Sequence, residues 1–206
     1  MNWQELRSIT LNAGQDLPQL WPDAATAEYA EARMELAKAE SALRDQVKAV
    51  AAMRHALPAG AALPAYTFAE GSRDLADDSG DRQVTLRELF DDQDSLVVYH
   101  LMFHPDDDQA CPMCSLWVDG LHGASHHLAR RTAFAVVAKA PLGKLRAWAR
   151  HRGWDGLRVV SSYDSTFNQD LHIEGPAGGQ WPAVSVFARD GEQVRHVVTQ
   201  AAEYPD

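Results

Sequence analysis

Cys111 and Cys114 stand three residues apart in Cys-Pro-Met-Cys and are the chain's two cysteines. In a reducing compartment, a close pair of thiols more often serves redox exchange or metal binding than a structural bridge. Pro112 suits the first position of a helix, because its missing N–H is one that no helical carbonyl would satisfy. Cys111 then becomes the N-cap, where unpaired backbone N–H groups and the helix dipole favour a thiolate. Cys114, one turn on, is placed to resolve a mixed disulfide formed by the first sulfur. Asp106, Asp107 and Asp108 precede the pair, and nearby carboxylates oppose thiolate formation. The expected chemistry is that of a mildly reducing or isomerase-like dithiol, not of a strong oxidant.

The same residues admit two other readings. In one, Cys111, Cys114, His122 and His126 supply the four ligands of a structural zinc. On a continuous helix His122 lies roughly 16 Å along the axis from Cys111, so that site requires a sharp break at Gly120 or Gly123. In the other, the cysteines are inert and the domain is a non-catalytic interaction module. His100 and His104 lie on the segment leading to Cys111. His100, inside an apolar run, is either a hydrogen-bonded core residue or a proton shuttle for the dithiol. Pro182 opens a strand, a position that tolerates proline; alternatively it forms a cis-proline loop beside the dithiol, its backbone pairing with a substrate chain. Gly175 to Gly179 lacks the Lys-Ser/Thr of a phosphate loop and reads as a flexible turn. No cofactor or metal is expected.

Elements able to position the dithiol follow from the patterning. Leu96 to Phe103 is a near-continuous apolar run with β-branched and aromatic residues, as a strand buried on both faces requires. The helix from Pro112 places Leu116, Trp117, Leu121, Ala124 and Leu128 on one inward face, with a weak point at Gly120 and Gly123. Phe134 to Ala138 is a second buried strand. Pro141 to Arg152 is a helix stopped by Gly153, with Leu142, Leu145, Trp148 and Ala149 inward. Leu157 to Ser161 is a third strand, and Ala183 to Phe187 with Gln193 to Val198 forms a hairpin turning at Asp190-Gly191. Upstream, Ala65 to Phe68 is strand-like, Asp74 to Gln83 is a surface loop, and Val84 to Phe90 is a short helical turn. This alternation indicates an α/β sandwich with a mixed sheet.

Before it, Pro22 to Leu57 contains no Gly or Pro in its interior and predicts one long amphipathic helix. Leu36, Leu43, Val50 and Leu57 recur every seven residues, but Ala39 and Gln46 weaken the second seam. The stripe is expected to pack on its own domain, with pairing to a second copy as the alternative. Residues 1–62 are read as an N-terminal helical extension and 63–206 as the sandwich domain.

The 206 residues are 46% hydrophobic and 23% charged, ordinary values for a folded domain. A net charge of −10 without a basic stripe argues against nucleic-acid binding. No run approaches the ~20 apolar residues of a membrane span, and the first residues lack a signal peptide's basic and apolar regions. A cytoplasmic location is expected.

The order of strand, Cys-x-x-Cys at a helix start, strand, helix and a proline before a hairpin resembles the thioredoxin superfamily. The additional strand and the Ser161 to Ile173 segment are closer to its peroxiredoxin-like branch. Tyr99 to Asp106, Ala110 to Trp117, Lys139 to Leu142 and Ser161 to Asn168 are similar to a bacterial family, domain of unknown function 899, whose members are described as thioredoxin-like predicted dithiol-disulfide isomerases. The resemblance covers about Glu28 to Val198. It implies a thioredoxin-like three-layer α/β sandwich with a mixed central sheet and a long N-terminal helix. It also implies Cys111 as attacking thiol, Cys114 as resolving thiol, Pro182 at the cis-proline position, and a disulfide-containing protein or small thiol as substrate. Three departures accompany it. The final helix of a thioredoxin fold is absent or rudimentary. A peroxiredoxin's Thr or Ser three residues before the reactive cysteine is missing, since Asp108 precedes Cys111. The loop before Cys111 is long and acidic.

Overall fold

The computed structural model describes residues 21–202, which fall into two compact units divided between Ala56 and Leu57. The first unit holds helix α1, Ala27–His55. Thr26 caps it by accepting the Tyr29 N–H at 3.2 Å, and Arg54 and His55 place basic groups in its last turn, where the helix dipole favours them. Leu36, Leu43, Val47 and Met53 of its apolar stripe are exposed.

In the second unit, one seven-stranded sheet runs in the order β2-β1-β5-β4-β3-β6-β7. Its strands are β1 Thr67–Glu70, β2 Arg82–Thr85, β3 Ser95–Leu101, β4 Ala133–Ala138, β5 Arg158–Ser161, β6 Ala183–Asp190 and β7 Gln193–Ala201. β3, β4 and β5 are mutually parallel, while β1 and β6 join them antiparallel. The helices are α2 Pro112–Gly123, α3 Ser125–Leu128, α4 Leu142–Arg152 and α5 Phe167–Asp170, with a 3-10 turn at Arg87–Phe90. β7 is the last described element.

Side chains alternate across the central strands and fill two cores. Leu96 and Val98 of β3 and Ala135 and Val137 of β4 join Phe68, Phe90, Phe167 and Phe187 in one. Tyr99, Leu101, Val136 and Ala138 join Cys114 and Val118 of α2, and Leu145 and Ala149 of α4, in the other. Burial on both faces is why these strands read as unbroken apolar runs. Each fully buried large side chain contributes about 1.5–3 kcal/mol. Trp154 is among them, and its indole N–H donates to Asp119 at 2.8 Å.

The expected boundary at residue 62 shifts. Leu63 N–H donates to the Val194 carbonyl at 2.9 Å and His196 N–H to that of Ala61 at 3.0 Å, so this stretch belongs to the sheet unit. Only glycine fits at position 60, because a Cβ there would lie 1.5 Å from the His196 carbonyl oxygen.

Candidate active site

Parallel β3, β4 and β5 end at one edge of the sheet, and the segment entering β6 returns to it. β3 leads through the 102–110 loop to Cys111, which caps α2 with extended backbone (φ −50°, ψ 125°) followed by Pro112. Cys111 N–H donates to the Met102 carbonyl at 2.9 Å. Its own carbonyl accepts from Ser115 N–H at 2.9 Å and Ser115 Oγ at 3.0 Å. Ser115 Oγ in turn accepts the Trp148 indole N–H at 3.1 Å. α4 thereby fixes the first turn of α2.

The two thiols have unlike surroundings. Both are free; Cys111 is half-buried and Cys114 buried. Burial pushes the Cys114 thiol above its usual range, against the downward pull of hydrogen bonds from the Met102 backbone and the Tyr99 hydroxyl. The Cys111 sulfur beside it adds a smaller upward push. Cys111 borders an open cavity of about 490 Å³ lined also by Met102, His104, Asp107, Gln109, Ala110, Pro112 and Gly178 to Gln180.

The acidic loop is held by Lys144, whose ammonium donates to the carbonyls of Pro105 at 2.7 Å and Asp107 at 3.0 Å. Asp106 turns to His104, its N–H donating to Nδ1 at 3.2 Å. The opposite wall is the 175–179 turn. Gly175 N–H and the Gly179 carbonyl close it at 2.8 Å, and a bridge joins Glu174 to Gln180 at its stem. Gln180 Oε1 accepts the Phe103 N–H at 2.9 Å, which ties this turn to the cysteine loop.

His100 is not brought to the dithiol. It faces the other core, with Nε2 2.8 Å from Ser185 Oγ and its ring stacked on Phe167. Burial, with a smaller contribution from His196, lowers its pKa to about 3. A neutral imidazole across the sheet cannot carry protons to Cys111, so the shuttle expectation is corrected: strand alternation puts His100 and Tyr99 on opposite faces. His104 is the imidazole that shares the cavity with Cys111.

Pro182 does not form a cis-proline loop, since no described residue has a cis peptide bond. Its carbonyl accepts the Ala202 N–H at 2.9 Å. Gly178, Gly179 and Gln180 line the dithiol cavity instead. That turn lacks a phosphate-loop pattern, and the sequence signal for its role is its place shortly before β6.

The expected inward face of α2 is also rotated. Cys114, Ser115 and Val118 are buried, whereas Leu116 and Trp117 are exposed. Cys114, Ser115 and Val118 together fix the helical phase, and at about 100° per residue Leu116 and Trp117 then lie roughly 155° and 105° from the centre of that inward face and turn outward. The helix breaks after Gly123, but the break does not assemble a zinc site. His122 Nε2 lies 3.0 Å from Asp155 Oδ1, and no group of three or more His, Cys, Asp or Glu side chains converges among the described residues.

No curated protein matches this chain by sequence. Among solved structures, it is similar to a proposed thioredoxin reductase from Burkholderia cenocepacia, at 19% identity over 72% of this chain and 89% of that one, with a TM-score of 0.54. A 1-Cys peroxiredoxin of Plasmodium falciparum matches at 12% identity over 69% and 83%, TM-score 0.54. A 2-Cys peroxiredoxin of Plasmodium vivax matches at 12% over 69% and 84%, TM-score 0.51. These likenesses establish a thioredoxin-like fold of the peroxiredoxin-like kind. No described helix is long and apolar enough to cross a membrane. The model of a bacterial protein family of unknown function, DUF899, matches residues 19–203, and the chain belongs to that family.

Proposed function

We propose that this protein is a thiol-disulfide oxidoreductase, able to act as an isomerase, with Cys111 as nucleophile and Cys114 as resolving thiol. The asymmetry of the pair carries the reading: Cys111 caps a helix at an open cavity, while Cys114 is buried with a raised pKa. The Cys111 thiolate attacks one sulfur of a substrate disulfide, an S–S bond forms to it, and the other substrate sulfur leaves as a thiolate and takes a proton. Cys114 then loses its proton, attacks Cys111 and expels the second thiolate. The protein is left as the Cys111–Cys114 disulfide, two electrons having passed to the substrate. A cellular dithiol or thiol must reduce it for turnover.

A strong oxidant owes its potential to a stabilised thiolate in the reduced state. Burial of Cys114 does the opposite, which favours the reducing end of the scale and suits a cytoplasmic setting. The open cavity admits a disulfide-containing protein or a small thiol.

The test equilibrates the protein with glutathione or dithiothreitol mixtures and follows the disulfide by mass spectrometry, with metal content measured on the same sample. The expected result is a reversible disulfide between about −270 and −180 mV, and a Cys114→Ser chain that accumulates mixed disulfide at Cys111. Failure to form a disulfide would overturn the reading. Stoichiometric metal would then indicate a metal-binding thiol pair, and its absence a binding module.

A further inference from the structure

Helix α1 presents an apolar stripe along its length. Leu36 is 52% exposed, Leu43 65%, Val47 62% and Met53 69%. In a heptad frame, Tyr29, Leu36, Leu43 and Val50 form one seam and Ala32, Ala39, Gln46 and Met53 the other. A seam of large residues beside one that is half alanine is a poor match for parallel pairing, where like layers meet like. Antiparallel pairing instead sets each large residue against a seam residue of the other kind. With Ala27–His55 fully overlapped, Leu43 falls opposite Ala39, Val50 opposite Ala32, Leu36 opposite Gln46 and Tyr29 opposite Met53. Small residues there let the helix axes approach closely.

Charge points the same way. Residues 27–40 carry Glu28, Glu31, Glu35 and Glu40 against Arg33 and Lys38, while residues 41–55 carry Arg44, Lys48 and Arg54 against Asp45. The first half is net acidic and the second net basic. A parallel pair would place like halves together, whereas an antiparallel pair places each against its complement.

We infer that α1 is a dimerisation helix whose partner is α1 of a second copy of this chain, packed antiparallel over its full length. This does not depend on the thiol chemistry, and its test uses the full chain with Cys111→Ser and Cys114→Ser. Sedimentation and light scattering are expected to give a dimer, and Leu43→Glu to give a folded monomer, because an exposed side chain is not needed to hold its own fold. A monomer at all concentrations, or a dimer indifferent to Leu43→Glu, would overturn the inference. A monomer that Leu43→Glu destabilises to heat would do so too, and would assign the stripe to the chain's own surface. Orientation is read by mixing copies carrying Tyr29→Cys with copies carrying Met53→Cys under a short thiol cross-linker. Antiparallel pairing gives links between the two kinds only, since like positions lie about 36 Å apart. Links between like positions would overturn it.

Discussion

Tyr99 and His100 are neighbours on β3 and serve opposite cores: the Tyr99 side chain packs in the core of Cys114, where its hydroxyl draws that thiol's pKa down, and His100 pairs with Ser185 on the far side of the sheet. A phenol is therefore among the groups acting on the resolving thiol. Its hydrogen bond favours the Cys114 thiolate, the form that resolves a mixed disulfide. Tyr99→Phe leaves packing almost unchanged and removes that donor. Hydrogen bonds to charged groups contribute about 1.5–3 kcal/mol, so release of the mixed disulfide should slow by roughly tenfold or more. Its pH profile should move upward, while the first attack by Cys111 keeps its rate. Stopped-flow measurement of the two phases checks this, and equal slowing of both would count against it.

His100 makes stability depend on pH. Its folded-state pKa of about 3 lies below the unfolded value of roughly 6.5, so between these values the unfolded chain binds the extra proton. Stability is then full above about pH 6.5 and is lost as pH falls toward 3, with a slope of up to ~1.4 kcal/mol per pH unit from this group. His196, whose pKa is also lowered by burial, adds in the same direction. His100→Gln retains a partner for Ser185 and removes the titration. Urea midpoints between pH 7 and 5 should fall less steeply in this variant than in the parent, and alkylation of Cys111 should be unaltered.

How much was legible in the sequence follows from the range of the forces involved. The spacing of Cys111 and Cys114, with Pro112 between, is local and fixes a helix start. The apolar runs at Leu96 and Phe134 report two-sided burial and so mark the central strands. The placement of His100 needed the strand's phase, which a run apolar on both faces does not reveal. Gln180 lies far from Cys111 along the chain, yet it lines the same cavity and is tied to the cysteine loop by the Phe103 N–H, a contact no pattern announces. Hydrophobicity alone points Leu116 and Trp117 inward, whereas the burial of Cys114, Ser115 and Val118 sets the phase of α2.

The 175–179 turn is expected to control access to Cys111. Gly178 has φ +79°, and a Cβ there would lie 3.3 Å from His104 Nε2. Gly178→Ala adds backbone strain to that contact and should shift both walls of the cavity. Gln180→Leu leaves the Phe103 N–H without an acceptor, at a cost of about 1–3 kcal/mol. Both variants should change the rate at which a bulky maleimide modifies Cys111 by several-fold, with a smaller effect on a small alkylating agent. Indifference to reagent size would separate the turn from the site.

A buried ion pair holds the other side of the sheet. Arg158 and Glu70 are both almost wholly buried, and the guanidinium grips the carboxylate through Nε at 2.5 Å and Nη2 at 3.0 Å. Arg82 adds a contact to Glu70 at 2.7 Å, and Asp91 accepts from Arg158 at 3.0 Å. Breaking such a pair leaves a buried charge with too little compensation, whereas replacing both partners by apolar side chains removes the desolvation penalty along with the attraction. Glu70→Gln should therefore lower stability by about 3–5 kcal/mol, read as a shift in urea midpoint at constant slope. The double variant Glu70→Met with Arg158→Met should recover most of that loss. Because neither residue lines the Cys111 cavity, the reduction potential should be the same in all three chains. A potential that moved with the ion pair would mean that the sheet transmits strain to the dithiol, and the two halves of the unit would have to be treated as one mechanical element.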